Sequence, residues 1–193
     1  MNAPSILSAR LRTEQSGLTL IELMVTTLLL GLVSAVVVGI MVSLLTTERT
    51  VASVTTDTRS AQLVADSIGT PIRNSSSFRL TAVGTNDQLL VARVASSTST
   101  ITWRCTAWYY QASTQQLRTT TRSTAITAPN TATLATWTLL AEGVQKVGTT
   151  PVFAANGPLL TTSYQVATGD TSPVLIRFTA ARLTGLTEST ACF

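Results

Sequence analysis

From Leu18 to Leu45 the sequence runs for 28 residues with one charged side chain, Glu22. As an α-helix rising about 1.5 Å per residue, this stretch reaches about 42 Å, against a hydrocarbon core of roughly 30 Å. It is long enough to span a bilayer with some tilt. A carboxylate one turn inside the apolar boundary costs about 2.5 to 3.5 kcal/mol unless something pairs with it, which makes Glu22 a functional candidate. Arg10 and Arg12 precede the run, and basic residues on that side keep the N-terminus cytoplasmic and send the remainder outward.

The stretch Gly17-Leu18-Thr19-Leu20-Ile21-Glu22 resembles the N-terminal signature of type IV prepilins and type II secretion pseudopilins. In that family a short basic leader ends in Gly, a hydrophobic residue follows, and Glu stands fifth in the mature chain. The resemblance implies that a prepilin peptidase cleaves between Gly17 and Leu18 and methylates the new amine of Leu18. It also implies that Glu22 pairs with the N-terminal amine of a neighbouring subunit during assembly. Charge balance agrees, because a buried carboxylate needs a cation and the mature chain has none nearby except an α-amine. Leu18 stands where Phe or Met is usual. A conventional secretory signal fits poorly, since its apolar core spans about 7 to 15 residues and ends at an Ala-x-Ala-like site. An uncleaved signal anchor explains the span and leaves Gly17 and Glu22 without a role.

Within the run, Gly31, Ala35, Gly39 and Ser43 recur at four-residue steps, a stripe of small side chains where another helix can approach closely. Small residues are also simply common in membrane helices. Beyond the run, Val51, Val54, Thr58, Ala61, Ala65, Ile68 and Ile72 alternate in steps of three and four, with Glu48, Arg49, Asp57, Arg59 and Asp66 on the other side. This pattern predicts an amphipathic continuation of the helix, ending near Gly69-Thr70-Pro71 because proline breaks it.

The rest of the sequence is poor in charge and rich in Thr, Ser and Ala, which favours strands over disorder. Predicted strands cover Phe78 to Val83, Gln88 to Val94, Thr100 to Tyr110 and Gln116 to Thr121, with turns at Gly84 to Asp87 and Ala112 to Gln115. Ser123 to Thr136 reads as a loop. Further strands are expected at Trp137 to Leu140, Val144 to Val147, Val152-Phe153, Leu159 to Val166 and Val174 to Leu183. Ile101, Trp103 and Cys105 share one strand face if no bulge intervenes. Trp103, Trp108, Tyr109 and Tyr110 allow a stacking platform for a ligand, but aromatics in such a strand more often build core.

The chain has no histidine, and with it go the usual general base and the commonest metal ligand. It also lacks a Cys-x-x-Cys pair, a P-loop and a Gly-rich phosphate cradle. Enzymatic function, a cofactor and a metal site are therefore not expected. The net charge of +4 comes from scattered residues with Lys146 the only lysine, so no basic stripe or patch points to nucleic acid. Nucleic acid stays open only as a partner of a larger machine. Cys105 and Cys192 are either two buried thiols or a disulfide tying the C-terminal segment to a central strand, the better reading for an exported domain.

The order within the second half also looks like the J-type minor pseudopilins and the related W-type minor pilins. A strand ending in aromatics is followed by a short turn and a Leu-Arg strand (Thr100 to Arg122). Leu139 to Val144 and a Pro-led final strand (Pro173 to Leu183) come next. The resemblance implies an α+β, pilin-like lollipop. Its parts are a leader (1–17), a transmembrane and assembly helix (18–45), an amphipathic continuation (46–72) and a β-rich head (73–193). It further implies a minor, structural subunit of a type IV pilus, competence pilus or type II secretion pseudopilus, placed in a tip or initiation complex. The partners implied are other pilins or pseudopilins, prepilin peptidase, the inner-membrane assembly platform and membrane lipid before assembly. The chain would first cross the cytoplasmic membrane once, then join an extracellular or periplasmic filament. An adhesin or DNA-binding pilin displayed at a tip is the alternative.

Overall fold

The computed structural model describes residues 19–96, 101–167, 173–185 and 189–193. Two compact units divide the chain, one ending at Thr47 and the other spanning Glu48–Phe193. Helix α1 (Leu20–Arg73) contributes to both.

In the first unit, every described residue is solvent-exposed, including Leu20, Met24, Leu30 and Ile40. The helix is long enough and apolar enough to cross a membrane, with a mean hydropathy of 2.8 over its most apolar window. Several of its threonine hydroxyls bond back to the helix itself. Thr26 Oγ1 donates to the Glu22 carbonyl at 2.9 Å, Thr27 Oγ1 to Met24 at 3.0 Å and Thr46 Oγ1 to Ser43 at 2.8 Å. Such back-bonding spares these threonine hydroxyls from needing water, which suits a lipid environment.

In the second unit the helix buries Asp57, Ala61, Val64, Ile68, Gly69 and Ile72. Ala61, Ile68 and Ile72 stand where periodicity places them. The rest of the predicted face is corrected: Val51 and Val54 are exposed, Thr58 and Ala65 lie at its margin, and Asp57 is buried. Stepping back four residues from Ala61 leads to position 57, so backbone geometry set the stripe and side-chain polarity misled the reading. The helix ends one residue beyond the expected 46–72 continuation, and proline does not break it at 69–71. Pro71 sits inside the last turn, which continues to Arg73 and closes with the Asn74 N–H on the carbonyls of Thr70 and Pro71. Proline cannot donate, yet its own carbonyl still accepts, so the last turn survives it.

Nine strands follow among the described residues. A five-stranded antiparallel meander consists of β1 (Ser75–Val83), β2 (Asp87–Ala95), β3 (Trp103–Gln111), β4 (Gln116–Arg122) and β5 (Thr138–Ala141), in that order. In the second sheet, β9 (Val174–Ala181) pairs along the whole of β8 (Leu159–Val166), while β6 (Val144–Gln145) and β7 (Phe153–Asn156) pair with successive parts of it. The hairpin between β1 and β2 turns through Gly84, whose φ of 58° suits a residue without Cβ. The segment expected as a continuous loop contains one helical turn, α2 (Thr131–Leu134), with Asn130 as its N-cap. Ile101 is exposed and precedes β3, so it does not share the face of Cys105.

The meander is covered on both faces. Leu90, Ala92, Trp108, Tyr110 and Leu117 join helix residues Ala61, Val64, Ile68 and Ile72, together with Phe153, Leu160 and Tyr164, in one apolar core. Leu89, Val91, Cys105, Ala107 and Tyr109 point the other way, into a smaller core closed by Ile126, Leu134, Trp137 and Cys192. The period-two alternation of a strand explains why adjacent aromatics in β3 serve opposite cores. Trp108, Tyr109 and Tyr110 are all buried, and they are core rather than a platform.

Candidate functional site

The residues singled out in the sequence fall into separate places. Gly17 and Leu18, the expected cleavage and methylation positions, lie outside the described residues. Glu22 lies in the first turn of α1 and is exposed. Its N–H donates to Thr19 Oγ1 at 3.3 Å, and the Leu23 N–H donates to the Thr19 carbonyl at 3.1 Å. Thr19-x-x-Glu22 thus has the spacing of a capping box, with the threonine accepting from the third helical residue. A carboxylate at that point also faces the positive end of the helix. This local role for Glu22 was not read from the sequence, although the Thr-x-x-Glu spacing carries the signal.

Gly31, Ala35, Gly39 and Ser43 all lie in α1 and are exposed, and a Cβ added at Gly31 or Gly39 meets nothing within 4 Å. Four residues on a helix turn through about 400°, so the stripe advances about 40° per step and winds about a third of the way round between Gly31 and Ser43. The face they present is a gently spiralling groove, not a straight line.

In the second unit Cys105 and Cys192 are joined as a disulfide, with 5.4 Å between their Cα atoms. The bond holds the C-terminal segment over the outer face of the meander. Around it, the Arg93 guanidinium lies 4.3 Å from the ring centre of Trp103, and Arg79 lies 4.6 Å from that of Phe193. The chain between β4 and α2 runs across the same face, anchored where the Ile126 N–H donates to the Cys192 carbonyl at 3.1 Å.

Asp87 at the start of β2 organises one end of this face, a role the sequence did not reveal. Its Oδ2 accepts from the Tyr109 hydroxyl at 2.8 Å and its Oδ1 from the Ala112 N–H at 2.9 Å. Burial, then the hydrogen bond to Asp87, pushes the Tyr109 hydroxyl up to about 12 from its ordinary 10.0. Tyr110 moves upward for the same first reason, with the Asp87 charge adding to it. Tyr164 is raised further, chiefly by burial, and its hydroxyl donates to the Ala61 carbonyl at 2.6 Å. That bond fastens β8 to the helix.

Beside the Ile126 crossing, Arg122, Asn130, Thr133 and Trp137 contribute to the walls of an open cleft of about 220 Å³. Trp137 is buried and stands edge-on to Tyr109, their ring centres 6.4 Å apart. Its Nε1–H has no hydrogen-bond partner among the described residues. Among the described residues, no group of three or more His, Cys, Asp or Glu is placed to hold a metal ion. Comparison with protein-family models, with curated proteins and with solved structures gives no match.

Proposed function

We propose that this chain is a minor structural subunit of a type IV pilus or a type II secretion pseudopilus. In this reading the chain is cut after Gly17, methylated at Leu18 and drawn from the membrane into a helical filament. The observation that carries the reading is the order Gly17-Leu18 followed by Glu22 at the start of an apolar helix whose described residues up to Thr47 are all exposed. So much exposed apolar surface calls for lipid or neighbouring helices to cover it. A carboxylate inside that surface calls for a cation, which the amine of a neighbouring Leu18 would supply. The α+β arrangement and the disulfide are compatible with an exported head. The role is structural rather than catalytic.

Intact-mass analysis and N-terminal sequencing after co-expression with a prepilin peptidase test this, with Gly17→Ala as the blocked control. A mature chain that starts at methylated Leu18 is the expected result. A chain that keeps Met1, under conditions that process a known prepilin, leaves only a signal anchor and removes the filament reading. Abundance in sheared filaments tests the minor role, because a dominant band would make this the principal subunit. The alternative, a tip-displayed binding head, draws on the arginine–aromatic pairs Arg93–Trp103 and Arg79–Phe193 on one sheet face.

A further inference from the structure

We propose that Asn156 is a self-modifying site: its side-chain amide is lost to attack by the Gly157 backbone nitrogen, leaving aspartate and isoaspartate at the tip of the β7–β8 hairpin. Asn156-Gly157 is the only Asn-Gly pair in the sequence. Asn156 closes β7 and pairs with Leu159, so Gly157 and Pro158 form the turn between the strands. Residues 155–159 are all exposed, and Gly157, with a φ of 56°, has nothing within 4 Å of where a Cβ would stand. Neither the Asn156 side chain nor the Gly157 N–H has a hydrogen-bond partner among the described residues. Electrophile and nucleophile are therefore adjacent, open to water and unengaged. Glycine adds no side chain to shield its nitrogen or to hinder the rotation that brings it onto the Asn156 Cγ. That rotation breaks the Asn156–Leu159 pair, the last of a short strand that pairs only with β8 among the described residues. Such terminal pairs open at low cost.

The step needs no reactant but water. The Gly157 nitrogen, having given its proton to hydroxide, bonds to the Asn156 Cγ. The bond from Cγ to Nδ2 then breaks, and ammonia leaves with a proton taken from water. The succinimide so formed takes up water at either carbonyl. Opening at the former side-chain carbon gives aspartate, whereas opening at the backbone carbonyl gives isoaspartate. Isoaspartate routes the chain through the side chain and adds a backbone atom to a hairpin whose register depends on loop length. Either product carries a new negative charge, and the change is one-way, so the modified fraction rises with the age of the molecule. The other described asparagines are held back. Asn86 Oδ1 accepts from Lys146 Nζ at 2.8 Å, and Asn130 Oδ1 from the Thr133 N–H at 2.8 Å and the Thr133 hydroxyl at 3.0 Å. Asn74 precedes Ser75, which is 0% exposed, so the nitrogen that would attack is buried. The inference does not rest on the filament reading: an unprocessed leader would leave this reaction untouched, and an inert Asn156 would leave leader processing untouched.

Incubation of the folded, full-length chain in detergent micelles at mildly alkaline pH tests the assignment, with a synthetic Asn-Gly peptide in the same buffer as reference. Samples taken over time are digested, and each asparagine peptide is resolved by mass into amide, aspartate and isoaspartate forms. Asn156 should convert ahead of Asn74, Asn86 and Asn130, giving both products at a rate that rises in proportion to hydroxide. Gly157→Asp keeps a residue that tolerates positive φ while placing a side chain beside the attacking nitrogen, so conversion should slow severalfold. Asn156 still intact after many half-lives of the reference peptide would overturn the proposal. So would earlier conversion of another described asparagine, aspartate without isoaspartate, or an unchanged rate in Gly157→Asp.

Discussion

Gln88 and Phe153 join the two sheets through both halves of one side-chain amide. The Gln88 Nε2 donates to the Phe153 carbonyl at 2.9 Å, and the Phe153 N–H donates to Gln88 Oε1 at 3.0 Å. A side chain on β2 thereby completes the backbone pairing of the first residue of β7. Replacing it with leucine keeps the bulk and strips both partners from a residue that is 1% exposed. Each orphaned backbone group costs about 1 to 3 kcal/mol, so Gln88→Leu should lower stability by about 3 kcal/mol in urea unfolding. A loss below about 0.5 kcal/mol would mean that water replaces the amide without penalty.

The Cys105–Cys192 bond spans a sequence separation of 87 residues. In the chain-entropy account, closing a loop of that length stabilises the fold by about 4.6 kcal/mol. Reduction of the folded protein should shift the denaturant midpoint downward by a corresponding amount. The double variant Cys105→Ser, Cys192→Ser should begin at the reduced value and ignore reductant. Equal midpoints in oxidised and reduced protein would assign the bond no stabilising role.

Gly69 is buried within α1, where an added Cβ would lie 3.6 Å from Phe178 Cε2 and 3.6 Å from Arg73 Nη1. Those are ordinary contact distances, so the site has room for a methyl group. Because glycine loses more backbone freedom than alanine in a helix, Gly69→Ala should raise stability by about 0.5 to 1 kcal/mol. A fall in thermal midpoint would show that Phe178 cannot tolerate the contact.

Alkaline pH should weaken the second unit through its tyrosines. Tyr109 ionises at about 12 in the folded chain against 10.0 when unfolded, so both states hold the proton below pH 10 and the stabilisation is complete there. Between pH 10 and about 12 the unfolded state releases the proton while the folded state keeps it, and stability falls as pH rises. Tyr110 and Tyr164, raised in the same direction, add to the fall. Tyr109→Phe should make the decline shallower over that window in pH-dependent urea unfolding, while removing the bond to Asp87 at neutral pH. An unchanged slope would mean that Tyr109 ionises equally in both states.

The strands of the meander were legible because each is a run of β-formers bounded by turn residues, as at Gly84 to Asp87 and Ala112 to Gln115. Leu159 to Val166 was read to the residue, since it alternates across a face that must be buried on one side. The two-sided burial of β2 and β3 was hidden, because its second core comes from Ile126, Leu134, Trp137 and Cys192, all distant in sequence. Asp57 misled for a related reason: a charge reads as solvated until tertiary packing shows otherwise. At the N-terminal end, the motif that carries the functional reading is local, so Glu22 and the small-residue stripe could be named without a fold. The cleft at Trp137 could not, because Arg122 and Asn130 meet only where the chain crosses the sheet.

Because the meander is covered on both faces and β2 and β3 have neighbours on both edges, these strands open only when the whole unit does. Their amides, above all around Leu90 to Ala92 and Ala107 to Tyr109, should therefore be the last to exchange with deuterated solvent. Strand β9, paired only to β8, should exchange sooner. The disulfide lies against that slowest layer through Cys105, so the anchor of the C-terminal segment sits on the part of the molecule that breathes least.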